Sequence, residues 1–411
     1  MEKEKIDELI KNNDEYIEFI NKEIKEITTK LPKRAPGSDG ENKTALYLSN
    51  ILKKECDCKD TFIEKYKFHP GAFYGFLYIT QALDILGILL IFFNPILTLI
   101  ALILSMIIKV LEFVFYVEAI DFMFPSKFGS NVTALKKCNT KATKRIYFNG
   151  HIDAAWEWPI NYHFGGLVFK IMAIIPMLGA IYYLALSIFM IFNQANGLDK
   201  PFIFWVLIGL IFLPFYYYMF FLRNPKKVVD GAIDNLTGCL LSIALLKALK
   251  EKNINLKSTD IGVILTGGEE AGLRGAKAWG KKHKIKEDLL STYIISLDTI
   301  YDSKDLMVNI KDLNGITDVD HDLLRIILRA ANEENVKIKK GKMPLMCGAT
   351  DSAAFIKSGF KSISITGISH NLEKVYHTRL DTYDKVNNQA LINVFKVCLK
   401  IIELFDSDDN N

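Results

Sequence analysis

The chain has 411 residues, 50% hydrophobic and 24% charged, enough to bury a full-sized core, and its mean hydropathy of +0.16 is high for a wholly soluble protein. A net charge of +4 is small for this length, and no Lys/Arg cluster is interleaved with aromatics, which argues against a nucleic-acid partner. Six scattered cysteines without a C-x-x-C spacing suit a reduced compartment better than a disulfide scaffold or a thiolate zinc site.

Apolar residues at helical spacing among Lys and Glu predict an amphipathic helix over 3–30, ending before Pro32, and the charged first seventy or so residues hold no cleavable signal sequence. The turn-rich Arg34-Ala-Pro-Gly-Ser-Asp-Gly40 leads into a second helix over 41–54, and 62–68 alternates like a strand. Two almost continuously apolar blocks follow, 71–117 and 167–222, the second broken near 193–201. A membrane span needs about 20 apolar residues, so each block is long enough for two helices and a tight turn. Four spans are expected, at 74–93, 96–117, 168–192 and 202–222, forming two hairpins (73–119 and 167–223) inserted between the soluble pieces 1–72, 120–166 and 224–411. Asp84 is discordant in such a span and is expected to face protein, toward Lys109 on the neighbouring helix.

The soluble pieces alternate strands and helices. Strands are predicted at 131–135, 145–148, 261–265, 293–297 and 362–365, and helices at 239–249, 322–334 and 388–404, an α/β pattern with a mostly parallel sheet. The strand 261–265 ends in Thr266-Gly-Gly-Glu-Glu-Ala-Gly-Leu-Arg-Gly275, so two carboxylates, Glu269 and Glu270, leave a strand end side by side and point different ways. One can handle a proton while the other holds a metal. His151 closes another strand, with Asp153 two residues on and able to take its second ring N–H. Asp234 sits in a loop that opens a helix, where an ordinary N-cap is the simpler role. Asp298 closes the strand 293–297, and His377 lies in a polar loop before the last helix. His151, Asp234, Glu270, Asp298 and His377 are thus candidates to converge, and two histidines with three carboxylates and no thiolate suit paired zinc ions with one carboxylate bridging.

Seven segments then occur in one order: Arg34-Ala-Pro-Gly-Ser, Gly150-His-Ile-Asp, Gly231-Ala-Ile-Asp-Asn, Gly268-Glu-Glu-Ala-Gly-Leu-Arg-Gly, Leu297-Asp, Thr350-Asp-Ser-Ala-Ala-Phe and Tyr376-His-Thr-Arg-Leu-Asp. In this order they resemble zinc metallopeptidase family twenty-eight, the aminopeptidase Y and bacterial leucyl aminopeptidase type. The resemblance implies a zinc-exopeptidase fold, a mostly parallel mixed sheet flanked by helices, here carrying two inserted hairpins. It implies His151 and Asp298 as terminal ligands of one zinc, Glu270 and His377 as those of a second, and Asp234 as the bridge. Glu269 is similar to the family's general base, which takes a proton from the metal-bridging water, and Asp153 to the partner of His151. Asp351 is expected to be structural or substrate-facing.

The implied function is a membrane-anchored, two-zinc aminopeptidase whose partners are peptides and the lipid bilayer. Two alternatives come with the same resemblance: a zinc-dependent glutaminyl cyclase, and an inactive assembly or receptor-like membrane protein, whose mark would be missing ligands. The hairpin turns hold a single Lys, while Lys53, Lys54, Lys65, Lys67, Lys127, Arg223, Lys226 and Lys227 flank the spans on the catalytic side. The positive-inside rule then puts the catalytic domain in the cytoplasm.

Overall fold

The computed structural model describes residues 2–287, 291–345, 347–369 and 371–407, with the side chains of 285–287 left aside. Its centre is a nine-stranded mixed sheet. The strands are β1 (Asp60–Phe68), β2 (Lys127–Lys136), β3 (Lys144–His151), β4 (Thr259–Thr266), β5 (Ser291–Asp298), β6 (Met307–Asp312), β7 (Thr317–Asp318), β8 (Lys339–Lys342) and β9 (Lys361–Thr366), in the spatial order β1-β2-β4-β3-β5-β9-β6-β7, with β8 on β6. The middle four, β4-β3-β5-β9, are parallel. They are also the most apolar, as expected of strands covered on both faces; every residue of β4 is buried.

Helices Asp14–Lys30, Thr237–Glu251 and Asn388–Ser407 contribute to one large core with the sheet, and Arg274–Glu287 and Asp351–Lys357 contribute to a second around Trp279. The first predicted helix is two, Glu2–Lys11 and Asp14–Lys30, because Asn12 and Asn13 interrupt it and the Asn13 amide caps the Ile10 carbonyl at 2.8 Å. The strands β6 to β8 and the helix Arg274–Glu287 carry too little apolar periodicity to be read from sequence.

Among the described residues, five helical stretches are long and apolar enough to cross a membrane: Ala72–Leu90, Pro95–Val114, Gly166–Phe192, Phe202–Met219 and Ala232–Glu251. The last is 94% buried, whereas the other four are 28–44% buried and show Ile100, Phe192 and Ile211 on their outer surface. Those four form a bundle with its own apolar core around Ile88, Leu102, Tyr183 and Tyr216. Helices approach closely where side chains are small: a Cβ on Gly87 would lie 3.1 Å from Leu102, and Thr98 donates to the Gly87 carbonyl at 2.9 Å. Asp84, fully buried, pairs with Lys109 of the adjacent helix. Asn94 caps the turn between these helices by accepting from the Ile96 N–H at 2.9 Å, with Pro95 in the first helical turn.

Candidate metal centre

The three middle strands β4, β3 and β5 end at one edge, and their C-terminal residues, with loops from elsewhere, place every predicted donor in one pocket. His151 closes β3 opposite Thr266 of β4, and Asp298 closes β5. Gly268, with φ of +60°, turns the chain out of β4, and Arg274 N–H returns to the Gly268 carbonyl at 3.0 Å. That tight turn presents Glu269 and Glu270.

Asp234 lies in the loop before Thr237–Glu251, outside helical φ/ψ, with a cis peptide to Asn235. It is no N-cap. Its carboxylate oxygens face opposite ways: Oδ1 is 3.0 Å from His151 Nε2 and Oδ2 is 3.2 Å from His377 Nε2. Glu270 Oε1 is 3.1 Å from the same His377 nitrogen, and Asp298 Oδ1 is 4.0 Å from His151 Nε2. Two donor triplets result, His151-Asp234-Asp298 and Asp234-Glu270-His377, sharing Asp234; a third grouping is His151-Glu269-Glu270. Tetrahedral zinc with bonds of about 2.0–2.1 Å spaces its ligand atoms about 3.3 Å apart, so the shorter separations suit a cation of that size.

The electrostatics agree with that fit. Four carboxylates and two imidazoles share a pocket where side-chain exposure runs from 2% at His151 to 14% at Asp298. Such an excess of buried negative charge is costly unless cations offset it. Burial holds the Glu269 carboxyl well above the usual range, against the pull of His151 and with Glu270 and Asp298 adding to it. Burial likewise pushes Asp298 up to about 7. Asp234 goes the other way: burial would raise it, but hydrogen bonds from His151 and His377 hold it below its ordinary value. Glu270 Oε1 is buried, and His377 Nε2 stands 3.1 Å from it outside good hydrogen-bond geometry, a spacing that suits two donors to one cation.

Asp153 does more than accompany His151. Its Oδ1 lies 3.5 Å from His151 Nδ1 and accepts the Glu269 N–H at 3.1 Å, while Oδ2 accepts the Glu270 N–H at 3.0 Å. One carboxylate thus fixes both an imidazole and the glutamate pair. Asp351 is buried behind the strand ends, accepting from the Thr266 hydroxyl and, at 3.4 Å, from Asn149. It braces the edge and is not among the grouped donors.

Four residues given no role from sequence complete the frame. Asp381 accepts the N–H groups of Ile233 at 2.7 Å and Asp234 at 3.2 Å, one on each oxygen; burial pushes it up to about 7. Arg34, 2% exposed, donates to the carbonyls of Ile152, Asp230 and Gly231 at 2.7–2.8 Å, tying the His151 loop to the Asp234 loop. Asn235 donates to the Leu297 carbonyl at 2.8 Å and accepts the Thr299 N–H at 3.2 Å, tying the Asp234 loop to the end of β5. The Trp158 ring packs edge-on against His377 at 4.4 Å, and the Trp158 backbone N–H donates to the His377 carbonyl at 2.8 Å. Asp381, Arg34 and Asn235 lie within the quoted segments, so their neighbourhood was visible; Trp158 acts through contacts that spacing does not reveal.

Comparison with known proteins places this geometry. Residues 220–402 match Peptidase family M28, a stretch that holds Asp234, Glu269, Glu270, Asp298 and His377, while His151 and Asp153 enter from upstream of the second hairpin. No curated protein matches the chain in sequence. Among solved structures, BSAP, a zinc aminopeptidase from Bacillus subtilis, superposes with a TM-score of 0.56 at 12% identity, over 96% of this chain and 96% of its own. LapB from Legionella pneumophila gives 0.57 at 14% identity, over 98% of this chain and 75% of its own. A glutaminyl cyclase from an Acidobacteriales bacterium gives 0.54 at 15% identity, over 94% and 93%. Identities this low speak to the fold. Residues 220–402 thus resemble Peptidase family M28 in sequence, and the whole chain has an α/β fold like that of the solved zinc aminopeptidase.

Proposed function

We propose that the protein is a membrane-anchored aminopeptidase holding two zinc ions, with His151 and Asp298 on one, Glu270 and His377 on the other, and Asp234 bridging. The observation that carries this reading is the carboxylate of Asp234, set between two imidazoles with one oxygen toward each. Bound zinc supplies Lewis acidity, polarising the scissile carbonyl and lowering the pKa of water.

The residues of the chain supply the rest. Glu269 is the general base: it belongs to the doublet turn, is not needed to complete either triplet that shares Asp234, and stands 3.9 Å from His151 Nε2 beside the donors. It receives a proton from the attacking water and returns it to the leaving amine. With Asp298 it is among the less buried of the six groups, which gives the substrate its approach. The surrounding carboxylates suit a free α-ammonium group, as an exopeptidase acting at the N-terminus requires. Asp153 holds His151 and both glutamate amides in place.

Four of the apolar helices, Ala72–Leu90, Pro95–Val114, Gly166–Phe192 and Phe202–Met219, are the spans, since the Ala232–Glu251 segment spends its apolar surface on the sheet. Two hairpins keep residues 1–72, 120–166 and 224–411 on one side, and the Lys and Arg flanks favour the cytoplasm. A glutaminyl cyclase is the second reading, favoured by the likeness to one such enzyme.

Purified protein tested on aminoacyl reporters, with bound metal counted, separates the readings. The aminopeptidase reading expects about two zinc ions per chain and release of free amino acid; a pyroglutamyl product points to cyclisation, and absence of both metal and turnover contradicts the enzyme reading.

A further inference from the structure

Both hairpins leave and re-enter the sheet at the edge that carries the metal donors. The parallel strands β3 and β4 end together, with His151 opposite Thr266. β2 runs antiparallel to β4 and pairs Val132 with Leu265, and β1 runs antiparallel to β2 and pairs Phe68 with Lys127. The end of β1 and the start of β2 therefore lie at the donor edge, and the first hairpin is the chain between them. The second hairpin is inserted between His151, which closes β3, and the loop of Asp234.

The roots of the hairpins are packed on the donor segments themselves, one on each side. Phe73, in the first turn of Ala72–Leu90, sits so closely on Gly272, two residues past Glu270, that a Cβ there would lie 2.9 Å from its ring. Arg274, next in the same turn but one, places two nitrogens on Asp121 at 2.7 and 2.9 Å, in the segment returning from that hairpin. On the other side, the Trp158 ring lies between Phe169 of the second hairpin, stacked at 4.4 Å, and His377, edge-on at 4.4 Å. Gly166, where that hairpin begins, abuts the Leu372 carbonyl in the loop leading to His377, with no room for a Cβ. Arg223, at the end of the second hairpin, joins the two roots, its guanidinium 4.6 Å from the ring of Tyr74 and 4.6 Å from that of Trp156.

Helices that are rooted at the donor edge and cross a bilayer turn that edge toward the lipid. The surface beside the roots agrees: Phe122 and Met123, after the first hairpin, and Phe164 and Leu167, where the second begins, are 55–81% exposed. Large apolar side chains bared next to a span suit the boundary between headgroups and acyl chains.

We propose that the metal pocket opens at the bilayer surface, between the two hairpin roots, and that its substrates are peptides anchored in that bilayer by an apolar group, with free N-termini lying at its surface. This rests on the aminopeptidase reading and the four spans above. A peptide so anchored already holds its first residue near the pocket and is confined to the membrane plane, which raises its effective concentration; a free peptide must find the gap between domain and lipid from bulk water.

The test reads the distance of the pocket from the bilayer. The chain outside the hairpins, about 300 residues, has a radius of gyration of about 19 Å, which for a sphere is about 50 Å across. An extended spacer covers about 3.4 Å per residue, so about six residues reach roughly 20 Å and about twenty reach past the far face of the domain. Full-length, zinc-loaded protein in lipid vesicles is given leucyl peptides with a dipalmitoyl anchor placed about six or about twenty residues after the leucine, the same peptides without the anchor, and leucyl p-nitroanilide. At equal bulk concentration, the short anchored peptide is expected to release leucine about tenfold or more faster than its unanchored form, and within about threefold of the long anchored one. A short anchored peptide cut no faster than its unanchored form, or about ten times more slowly than the long anchored one, places the pocket away from the bilayer and overturns the proposal; hydrolysis of leucyl p-nitroanilide in the same vesicles leaves the aminopeptidase reading intact. No release of leucine from any of the substrates overturns that reading and this proposal with it.

Discussion

Asp381→Asn tests how the bridging carboxylate is held. The Asp381 carboxylate holds the backbone of the Asp234 loop: each of its oxygens accepts one backbone N–H, from Ile233 at 2.7 Å and from Asp234 at 3.2 Å. Asparagine has the same shape but only one acceptor oxygen, so one of the two amides must face an NH2 group. A hydrogen bond to a charged acceptor contributes about 1.5–3 kcal/mol, and losing one while forcing two donors together should shift the Asp234 loop. At 1.4 kcal/mol per tenfold, this corresponds to about 10–100-fold weaker metal binding, the scale usual for groups that orient metal ligands. The assay is competition for zinc against a chromophoric chelator, with thermal unfolding of the metal-free protein recorded in parallel. The expected result is weaker zinc affinity with a smaller change in metal-free stability. Unchanged affinity would refute the view that Asp381 positions Asp234.

Arg34→Met removes three hydrogen bonds to buried carbonyls and should lower metal-free stability by about 2–4 kcal/mol, read by chemical denaturation; a loss below 1 kcal/mol would mean that those carbonyls find other donors. Asp84→Leu leaves Lys109 unpaired within the bundle and should cost about 3–5 kcal/mol, while Asp84→Leu with Lys109→Leu should recover most of it. Equal heat inactivation of single and double variants in detergent would show that the pair carries no coupling. Burial would raise the Glu64 carboxyl, but hydrogen bonds from His283 and Lys282 bring it down to about 2. Its folded pKa is thus below the unfolded value of about 4.3, so its contribution is full above that pH and is lost as pH falls toward 2. Wild type and Glu64→Gln should differ in unfolding temperature at pH 7 and converge near pH 2; a constant gap would contradict the linkage.

Much of the site was legible because its donors stand at the ends of strands, where an apolar run stops and polar residues begin. His151, Glu269, Glu270 and Asp298 all have that signature. Asp234 does not. Read alone it was as good an N-cap, and only the order of motifs marked it out; the geometry that separates the roles, two oxygens turned toward two imidazoles, depends on a loop fixed by Asp381, Asn235 and Arg34 from distant parts of the chain. The edge strands β6 to β8 escaped because β8 is Lys-Lys-Gly-Lys and largely exposed, so backbone pairing and not side-chain burial makes it a strand. The Ala232–Glu251 segment shows the opposite limit. By composition it could be a span, but it begins in the Asp234 loop and is buried against β3 and β5, and that context rather than its hydropathy marks it as core. Similarly, nothing in the spacing of the first hairpin indicated that Phe73 would rest on Gly272.

The measurement that most directly tests the account is a comparison of wild type and Glu269→Gln for bound zinc and turnover on the same preparation. If Glu269 is the proton acceptor and His151, Asp234, Glu270, Asp298 and His377 hold the metal, the variant keeps its zinc while turnover falls about 10²–10⁴-fold. Loss of zinc from Glu269→Gln, or turnover close to wild type with zinc retained, would contradict it.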